Sequence, residues 1–287
     1  MTQNLPLSIQ KAINRYESVE MDGLTFYPIR VDEYEAFMMA RPGIEVIQGS
    51  LPLEMISMPL LSALYKMDYD AVMEGYTPAG FFSRCLLFLA LSLRLGEGWE
   101  IERRLKMFAV DVSPQDPSRL VQIRFKLHGD EIYTITPVQF ARYRPILAAQ
   151  NGIELLPEDA NPELVRSRQA LAAKNAPDLD VTIEAVISGV AALTGADEAD
   201  IYDWSILKLE RRKTALQRVV DFIVCGINEG AGCKWKDGNP VPSMWYEKER
   251  KDTTLIDMNE FTKGQSVTLQ AGGTPGLVPN FNQFNNA

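Results

Sequence analysis

The side chains that most often carry nucleophilic or metal chemistry are few in this chain and far apart. His128 is the only histidine among the 287 residues, and it lies in a predicted turn. A hydroxyl or thiol nucleophile would therefore depend on a solvated turn residue for activation. The cysteines are Cys85, Cys225 and Cys233, and they lack the paired ligand spacing of a zinc site. We therefore expect no catalytic residue, metal site or cofactor and no enzyme, although an enzyme that uses carboxylates alone stays an open alternative.

Two further clusters resemble ligand-binding patterns only loosely. Asp197, Glu198, Asp200 and Asp203 gather carboxylates, but without the spacing or the central glycine of a calcium loop. A solvated helix start is the favoured interpretation, because acidic residues suit the positive end of a helix dipole. The glycine-rich segment 226–232 follows a helix, whereas a phosphate-binding loop needs a preceding strand. A frayed helix end explains it better.

Basic residues concentrate on one predicted long helix, at Lys208, Arg211, Arg212, Lys213 and Arg218. A short helix, an acidic turn and a basic helix in succession are compatible with a helix-turn-helix, so a DNA-binding regulatory protein using residues 203–218 is one alternative. The net charge of −9 argues against nucleic acid as a partner, since such proteins usually carry a basic face. A solvated helix face beside the acidic stretch is the favoured interpretation of the run.

The aromatic residues Trp235, Trp245 and Tyr246 lie among prolines in a segment without periodicity. Aromatic side chains often anchor the centre of a protein interface, so these three are candidate partner-binding residues. They could equally fold back over the end of a helical domain, where their rings would be buried. Both interpretations stay open at this point.

The most apolar stretch of the chain is 78–95, PAGFFSRCLLFLALSLRL. Apolar residues point in nearly every helical direction, and a helix that is apolar all round must be covered all round. Thr77 is a suitable cap, Pro78 suits the first helical position, and Gly96 can end the helix. The sequence therefore predicts a central helix over 78–95, against which neighbouring elements pack.

Before and after this helix in the sequence, the spacing of the apolar residues changes several times. Short alternating segments at 105–112, 120–127 and 131–135 predict an antiparallel meander, and 24–31 is a candidate further strand despite Pro28. Helices are predicted at 137–150 with Thr136 as cap, at 162–175, at 181–193 with Asp180 as cap, and at 204–228.

These elements define the expected fold class and domain organisation. We expect a mainly α fold with a small antiparallel β-meander (α+β), in two domains followed by a flexible C-terminal tail. Residues 1–155 would form the α+β domain and 156–235 a helical domain, divided by the Pro- and acid-rich segment near 156–161. Residues 236–287 would be an irregular segment and a disordered tail, because a Gly- and Asn-rich end buries too little apolar area to become ordered.

The sequence also carries expectations about location. No N-terminal segment joins a basic start to an apolar core, and no apolar stretch reaches the roughly 20 residues that a membrane span needs. Three sparse cysteines fit a reducing compartment. We therefore expect a protein of the cytoplasm of the cell that makes it, without a signal peptide, a transmembrane segment or a membrane partner.

Three stretches together resemble an uncharacterised family from the tail-gene clusters of phages and prophages of Gram-positive bacteria. They are TFYPIRVDEYEAF at 25–37, ITPVQFARYRPILAAQNGIEL at 135–155 and DWSILKLERRKTALQRVVDFIVCGINEGAGCKWKDGNPVPSMWY at 203–246. The opening strand-then-helix pattern is similar to that of phage tail assembly chaperones. Those are acidic, mainly helical proteins that bind the tape measure protein, help to recruit tail tube subunits and leave before the virion is finished.

This resemblance implies a non-enzymatic phage tail assembly chaperone whose partners are the tape measure protein and the tail tube protein. Met38, Met39, Met55 and Met58 are candidate partner-binding residues, because flexible thioether side chains adapt to varied surfaces. Copies lining a long client could also form a homo-oligomer. A virion structural component of the tail or baseplate is the main alternative.

Overall fold

The computed structural model describes residues 5–127, 131–156 and 181–232, single residues between 163 and 174, and residues 241, 243 and 244. By internal contacts the chain divides into a compact unit of residues 1–217 and a second unit of residues 218–287. The domain boundary predicted near residue 156 therefore falls inside the first unit. His128, Asp180 and the predicted tail lie outside the described residues, as does most of the predicted helix 162–175.

The mainly α fold with a small antiparallel sheet is confirmed. The described helices are α1 (Leu7–Asn14), α2 (Tyr34–Glu45), α3 (Leu60–Met73), α4 (Phe81–Ser92), α5 (Ile101–Leu105), α6 (Pro137–Gln150), α7 (Ile183–Thr194), α8 (Glu198–Tyr202) and α9 (Ile206–Gly230). The described strands are β1 (Val19–Met21), β2 (Leu24–Phe26), β3 (Ala109–Val112), β4 (Leu120–Lys126) and β5 (Ile132–Ile135). Single 3-10 turns occur at Val31–Glu33 and Gln48–Ser50.

The strands form two separate antiparallel sheets. The predicted meander is confirmed, with strand order β3-β4-β5. The segment 24–31 does not join it, because β2 pairs with β1 in a hairpin of its own. Asp22 and Gly23 have φ of 51° and 77°, which is the left-handed geometry of a two-residue hairpin turn, so the local pairing is favoured. Pro28 lies beyond the end of β2, where it interrupts no ladder.

The predicted central helix is confirmed as α4, in which every side chain from 85 to 92 is buried. Helices α2, α3 and α5 pack against it. The closest approach is at Gly43 of α2, where an added Cβ would lie 2.7 Å from the Cys85 backbone nitrogen. The Cys85 thiol donates to the Gly43 carbonyl at 3.2 Å, and burial raises the pKa of this thiol to about 12. Cys85 is therefore a packed core residue, as expected.

The ends of α4 differ from the prediction. Thr77 does not cap it, since Gly80 precedes the helix in a left-handed conformation with φ 72°. The cap comes from α3, where the Asp68 carboxylate accepts hydrogen bonds from Gly80 N at 3.0 Å and Phe82 N at 3.2 Å. Burial raises the pKa of Asp68, although both backbone donors favour its charged form. The first left-handed residue after the helix is Arg94, with φ 54°, two residues before the predicted Gly96, whose φ is 60°.

We expect Asp68→Ala to destabilise the protein, because it removes both hydrogen bonds at the start of α4. Loss of a helix cap costs about 1 to 2 kcal/mol of the free energy of unfolding. Urea denaturation measures this difference. Asp70→Ala is the matched control, since it removes only the partly exposed Lys66–Asp70 pair on the same helix and should cost about 0.5 kcal/mol or less. Equal losses in the two variants would contradict the capping role.

Candidate functional site

One concave surface of the first unit is a groove of about 960 Å³, here called the apolar groove. Its lining comes from helix α6, the segments 56–60 and 152–156, and the start of α9. The side chains that give the groove its character are Ile56, Met58, Val138, Ala141, Leu156 and Leu207. Val138 is 64% exposed, so its side chain is available for contact with a partner.

Exposed and partly buried hydrogen bonds hold the walls of the apolar groove in place. The Gln48 amide donates to the carbonyls of Ile56 and Met58, each at 2.7 Å. These two hydrogen bonds fix the loop that precedes α3. Arg144 of α6 donates to the Ile44 carbonyl at 2.9 Å and to the Val46 carbonyl at 2.6 Å. These contacts anchor α6 to the end of α2. The groove therefore has fixed walls and is not a gap between loose elements.

Helix α6 presents both its apolar side chains and a break in its hydrogen-bond ladder to the apolar groove. Pro145 lies inside α6 and cannot donate to the carbonyl of Ala141. Both residues line the groove.

The predicted helix 137–150 is confirmed, and Thr136 forms a capping box with Gln139 at its start.

The methionines predicted to bind a partner divide into three groups. Met38 and Met39 are 41% and 56% exposed on α2 and are available for contact. Met58 is half-buried and lines the apolar groove. Met55 is only 4% exposed and belongs to the core, so its assignment to a partner surface is corrected. Trp235, Trp245 and Tyr246 lie outside the described residues.

A second concavity, here called the cationic cleft, has a volume of about 330 Å³. Its lining includes four cationic side chains, Arg15, Arg30, Arg94 and Lys208, with Asp203 as the carboxylate among them. The aromatic rings of Tyr16, Tyr27 and Trp204 complete it. These residues come from the ends of α1 and α4, the segment after β2 and the start of α9, so no local sequence motif joins them.

The extended strap of residues 27–31 positions the cationic cleft. Its backbone is bonded to three different elements: Tyr27 N donates to Ser92 O at 2.7 Å, Ile29 N to the Asn151 amide oxygen at 2.8 Å, and Val31 N to Trp204 O at 2.9 Å. Ile206 N donates back to Ile29 O at 2.9 Å. The strap therefore holds the end of α4, the end of α6 and the start of α9 together.

Helix α6 also fixes the β1–β2 hairpin that precedes this strap. The buried Tyr143 hydroxyl donates to the Asp22 carboxylate at 2.9 Å, and the Gln150 amide donates to Phe26 O at 3.1 Å. Burial and then the Asp22 carboxylate raise the pKa of Tyr143 to about 12. The folded protein therefore holds the tyrosine in its neutral form.

The Tyr143 contact predicts a loss of stability at alkaline pH. A raised pKa in the folded state gives stability that is complete below the unfolded pKa near 10 and is lost as the pH rises towards 12. We expect the free energy of unfolding to fall above pH 10 and the fall to be shallower in Tyr143→Phe. Urea denaturation at pH 8, 10 and 11 tests this. The exposed Tyr76→Phe is the control, and an identical pH profile in both variants would contradict the prediction.

The basic run of α9 does not form a free DNA-reading face at its start. Ser205, Ile206 and Leu207 are buried, whereas a recognition helix presents its N-terminal residues to the major groove. Lys208 packs over the Trp204 ring at 4.0 Å, and Lys213 pairs with Glu210. These contacts do not favour the helix-turn-helix alternative.

The apolar side chains of α9 are covered only in the first half of the helix. Leu209 is buried and Leu216 packs against the cluster around α7 and α8. Val220, Ile223 and Ile227 are exposed. Helical periodicity gives the spacing of an apolar stripe but does not say what covers it.

The described residues contain no group of three or more His, Cys, Asp or Glu side chains placed to hold a metal ion. Over the same residues, no helix has the length and apolar character to cross a membrane.

Comparison of the chain with models of known protein families, with curated proteins and with solved structures finds no match.

Proposed function

We propose that this chain is a non-enzymatic binding protein, a phage tail assembly chaperone that holds apolar helical segments of the tape measure protein. The observation that supports this most is the apolar groove, a fixed concave surface with large apolar side chains open to solvent. An amphipathic helix laid in such a groove buries its apolar stripe at i, i+3, i+4 and i+7. The resemblance of three stretches to a phage tail-cluster family supports the choice of client.

In this mechanism the groove replaces the missing partner of an unassembled client helix. A long helical protein exposes an apolar stripe until it assembles, and exposed apolar surface promotes aggregation. Ile56, Val138 and Leu156 would cover that stripe, while the half-buried Met58 adapts to differing side chains. The negative charge of the chain would keep loaded complexes apart through mutual repulsion.

Co-expression with the tape measure protein of the same gene cluster tests the proposal. We expect the client to be recovered in the soluble fraction only when this chain is present, and the two to elute together from a sizing column. A tape measure protein that is equally soluble alone would overturn the proposal. Retention of this chain in purified particles, detected by mass spectrometry, would instead favour a virion structural component.

The groove itself is tested by Val138→Glu. A carboxylate at this position would be buried without a partner beneath the client helix, which costs about 2 kcal/mol and weakens binding about 30-fold. Because Val138 is exposed in the unbound chain, the free energy of unfolding of the variant should hardly differ from that of the unchanged protein. Isothermal calorimetry with a client fragment measures the effect. Val121→Glu, at an exposed valine of β4, is the control, and equal weakening by both variants would contradict groove binding.

A further inference from the structure

We propose that the cationic cleft binds the phosphate group of a small phosphorylated molecule. This inference is independent of the chaperone proposal, because the apolar groove and the cationic cleft have no lining residue in common. It concerns a site formed only by the fold, since its cations come from four separate parts of the chain.

The first argument is unbalanced charge. Arg30 is neutralised by carboxylates, with ion pairs to Asp32 and Glu97 at 2.7 Å and to Asp203 at 3.7 Å. Within the part of the chain that the structure describes, Arg15, Arg94 and Lys208 have no such carboxylate partner. Three unneutralised cations therefore line one small cavity of a chain whose net charge is −9. An anionic ligand with two charges would compensate part of this positive charge.

The second argument is that the cations are held in place. The Arg94 guanidinium lies 4.4 Å from the centre of the Tyr27 ring, and the Lys208 ammonium lies 4.0 Å from the Trp204 ring. Stacking of a cation on a ring limits the conformations of a long side chain and leaves its outer donors free. Burial lowers the pKa of Lys208, as does repulsion from Arg212.

The third argument is that two helix ends place residues of the cleft. Tyr16 and Arg94 have left-handed backbones with φ of 61° and 54°. Each directly follows a helix, where this geometry is usual: Glu17 N donates to Ala12 O after α1, and Leu95 N donates to Ala90 O after α4. Both residues line the cationic cleft, so the closed ends of α1 and α4 fix the backbone from which their side chains extend.

The chemistry of the lining favours phosphate over a carboxylate or a polymer. Three cations exceed what one carboxylate needs, while a phosphate monoester offers two charges and three acceptor oxygens, which suit the donor fork of arginine. The Ser205 hydroxyl oxygen accepts from Lys208 N at 3.2 Å, so its own hydrogen can be donated into the cleft. A volume of about 330 Å³ suits a small ligand, whereas a nucleic-acid strand needs a long basic track.

Calorimetry on the full chain at low salt tests the inference with AMP, ribose 5-phosphate, inorganic phosphate, adenosine, citrate and a 12-nucleotide single strand. We expect at least one phosphomonoester to bind at least tenfold more tightly than inorganic phosphate, adenosine and citrate. The inference is overturned if neither phosphomonoester binds at 10 mM, if citrate binds equally well, or if the single strand binds more tightly.

Variants then assign the binding to the cleft. Arg94→Gly removes the guanidinium but keeps the left-handed backbone, so the fold should survive, and Lys208→Gln removes the second cation. Each should weaken phosphomonoester binding at least tenfold. Arg103→Gln is the matched control, because Arg103 is an exposed arginine stacked at 3.7 Å on Trp99 away from the cleft. Binding that is unchanged in Arg94→Gly and Lys208→Gln, with thermal melting showing both folded, would overturn the assignment.

Discussion

Gly43→Ala should lower the free energy of unfolding by about 3 kcal/mol, the upper end of the cost of forcing extra atoms into a packed core. The added Cβ would lie 2.7 Å from Cys85 N and 2.9 Å from the Arg84 carbonyl carbon. Both are backbone atoms of α4, so no side chain can turn aside to make room. The two helices would have to separate, which also lengthens the Cys85–Gly43 hydrogen bond.

Gly189→Ala is the matched control for this prediction. Gly189 also lies inside a helix, and nothing is within 4 Å of its added Cβ. Alanine there should stabilise the protein by about 0.5 to 1 kcal/mol, because it restricts the unfolded chain and favours the helix. Urea denaturation of both variants measures opposite changes in the midpoint. A gain in stability in Gly43→Ala would show that α2 and α4 do not approach as closely as described.

Glu33→Ala should cost about 3 to 5 kcal/mol, as expected when one partner of a buried ion pair is removed. The Arg104 side chain is 4% exposed and its Nη2 lies 2.5 Å from a carboxylate oxygen of Glu33. Its remaining described contact is a hydrogen bond from Nε to Trp99 O at 3.1 Å, and Nη1 is buried without a partner among the described residues. Without Glu33, a buried guanidinium would be left uncompensated.

The double variant Glu33→Leu with Arg104→Met separates the value of the ion pair from the cost of breaking it. Replacing both charges by apolar groups of similar size is often close to neutral, so we expect a loss of about 1 kcal/mol or less. Glu210→Ala, which breaks the exposed pair with Lys213, should cost about 0.5 kcal/mol or less. A double variant as unstable as Glu33→Ala would show that the pair itself is strongly stabilising.

Local features of the fold were predictable because their causes are local. The central helix follows from an apolar stretch without a polar face, and the cap at Thr136 follows from the residue types of its first turn. The meander follows from alternation of apolar and polar residues. The start of α4 was not predictable in this way, since Asp68 reaches it from another helix.

The surfaces were predictable only in part, because they depend on distant residues. Among the methionines, sequence did not separate the exposed Met38 and Met39 from the buried Met55, since residue type does not reveal which side of an element is covered. The cationic cleft has no sequence signal at all, because Arg15, Arg30, Arg94 and Lys208 meet only after folding. Likewise, the change in composition near residue 156 predicts a domain boundary, but it does not reveal that the strap of residues 27–31 forms hydrogen bonds with Trp204 and Ile206, which follow that boundary in the sequence.

This strap has a consequence for synthesis of the protein on the ribosome. Ile29 and Val31 are buried, yet the carbonyl of the first and the amide of the second find their partners only at Ile206 and Trp204. Unpaired backbone groups in a dry interior are costly, so the amino-terminal half cannot settle into its final packing while it emerges. Contacts between residues so distant in sequence also slow folding. The strap therefore stays incompletely packed during synthesis until Trp204 and Ile206 have left the exit tunnel.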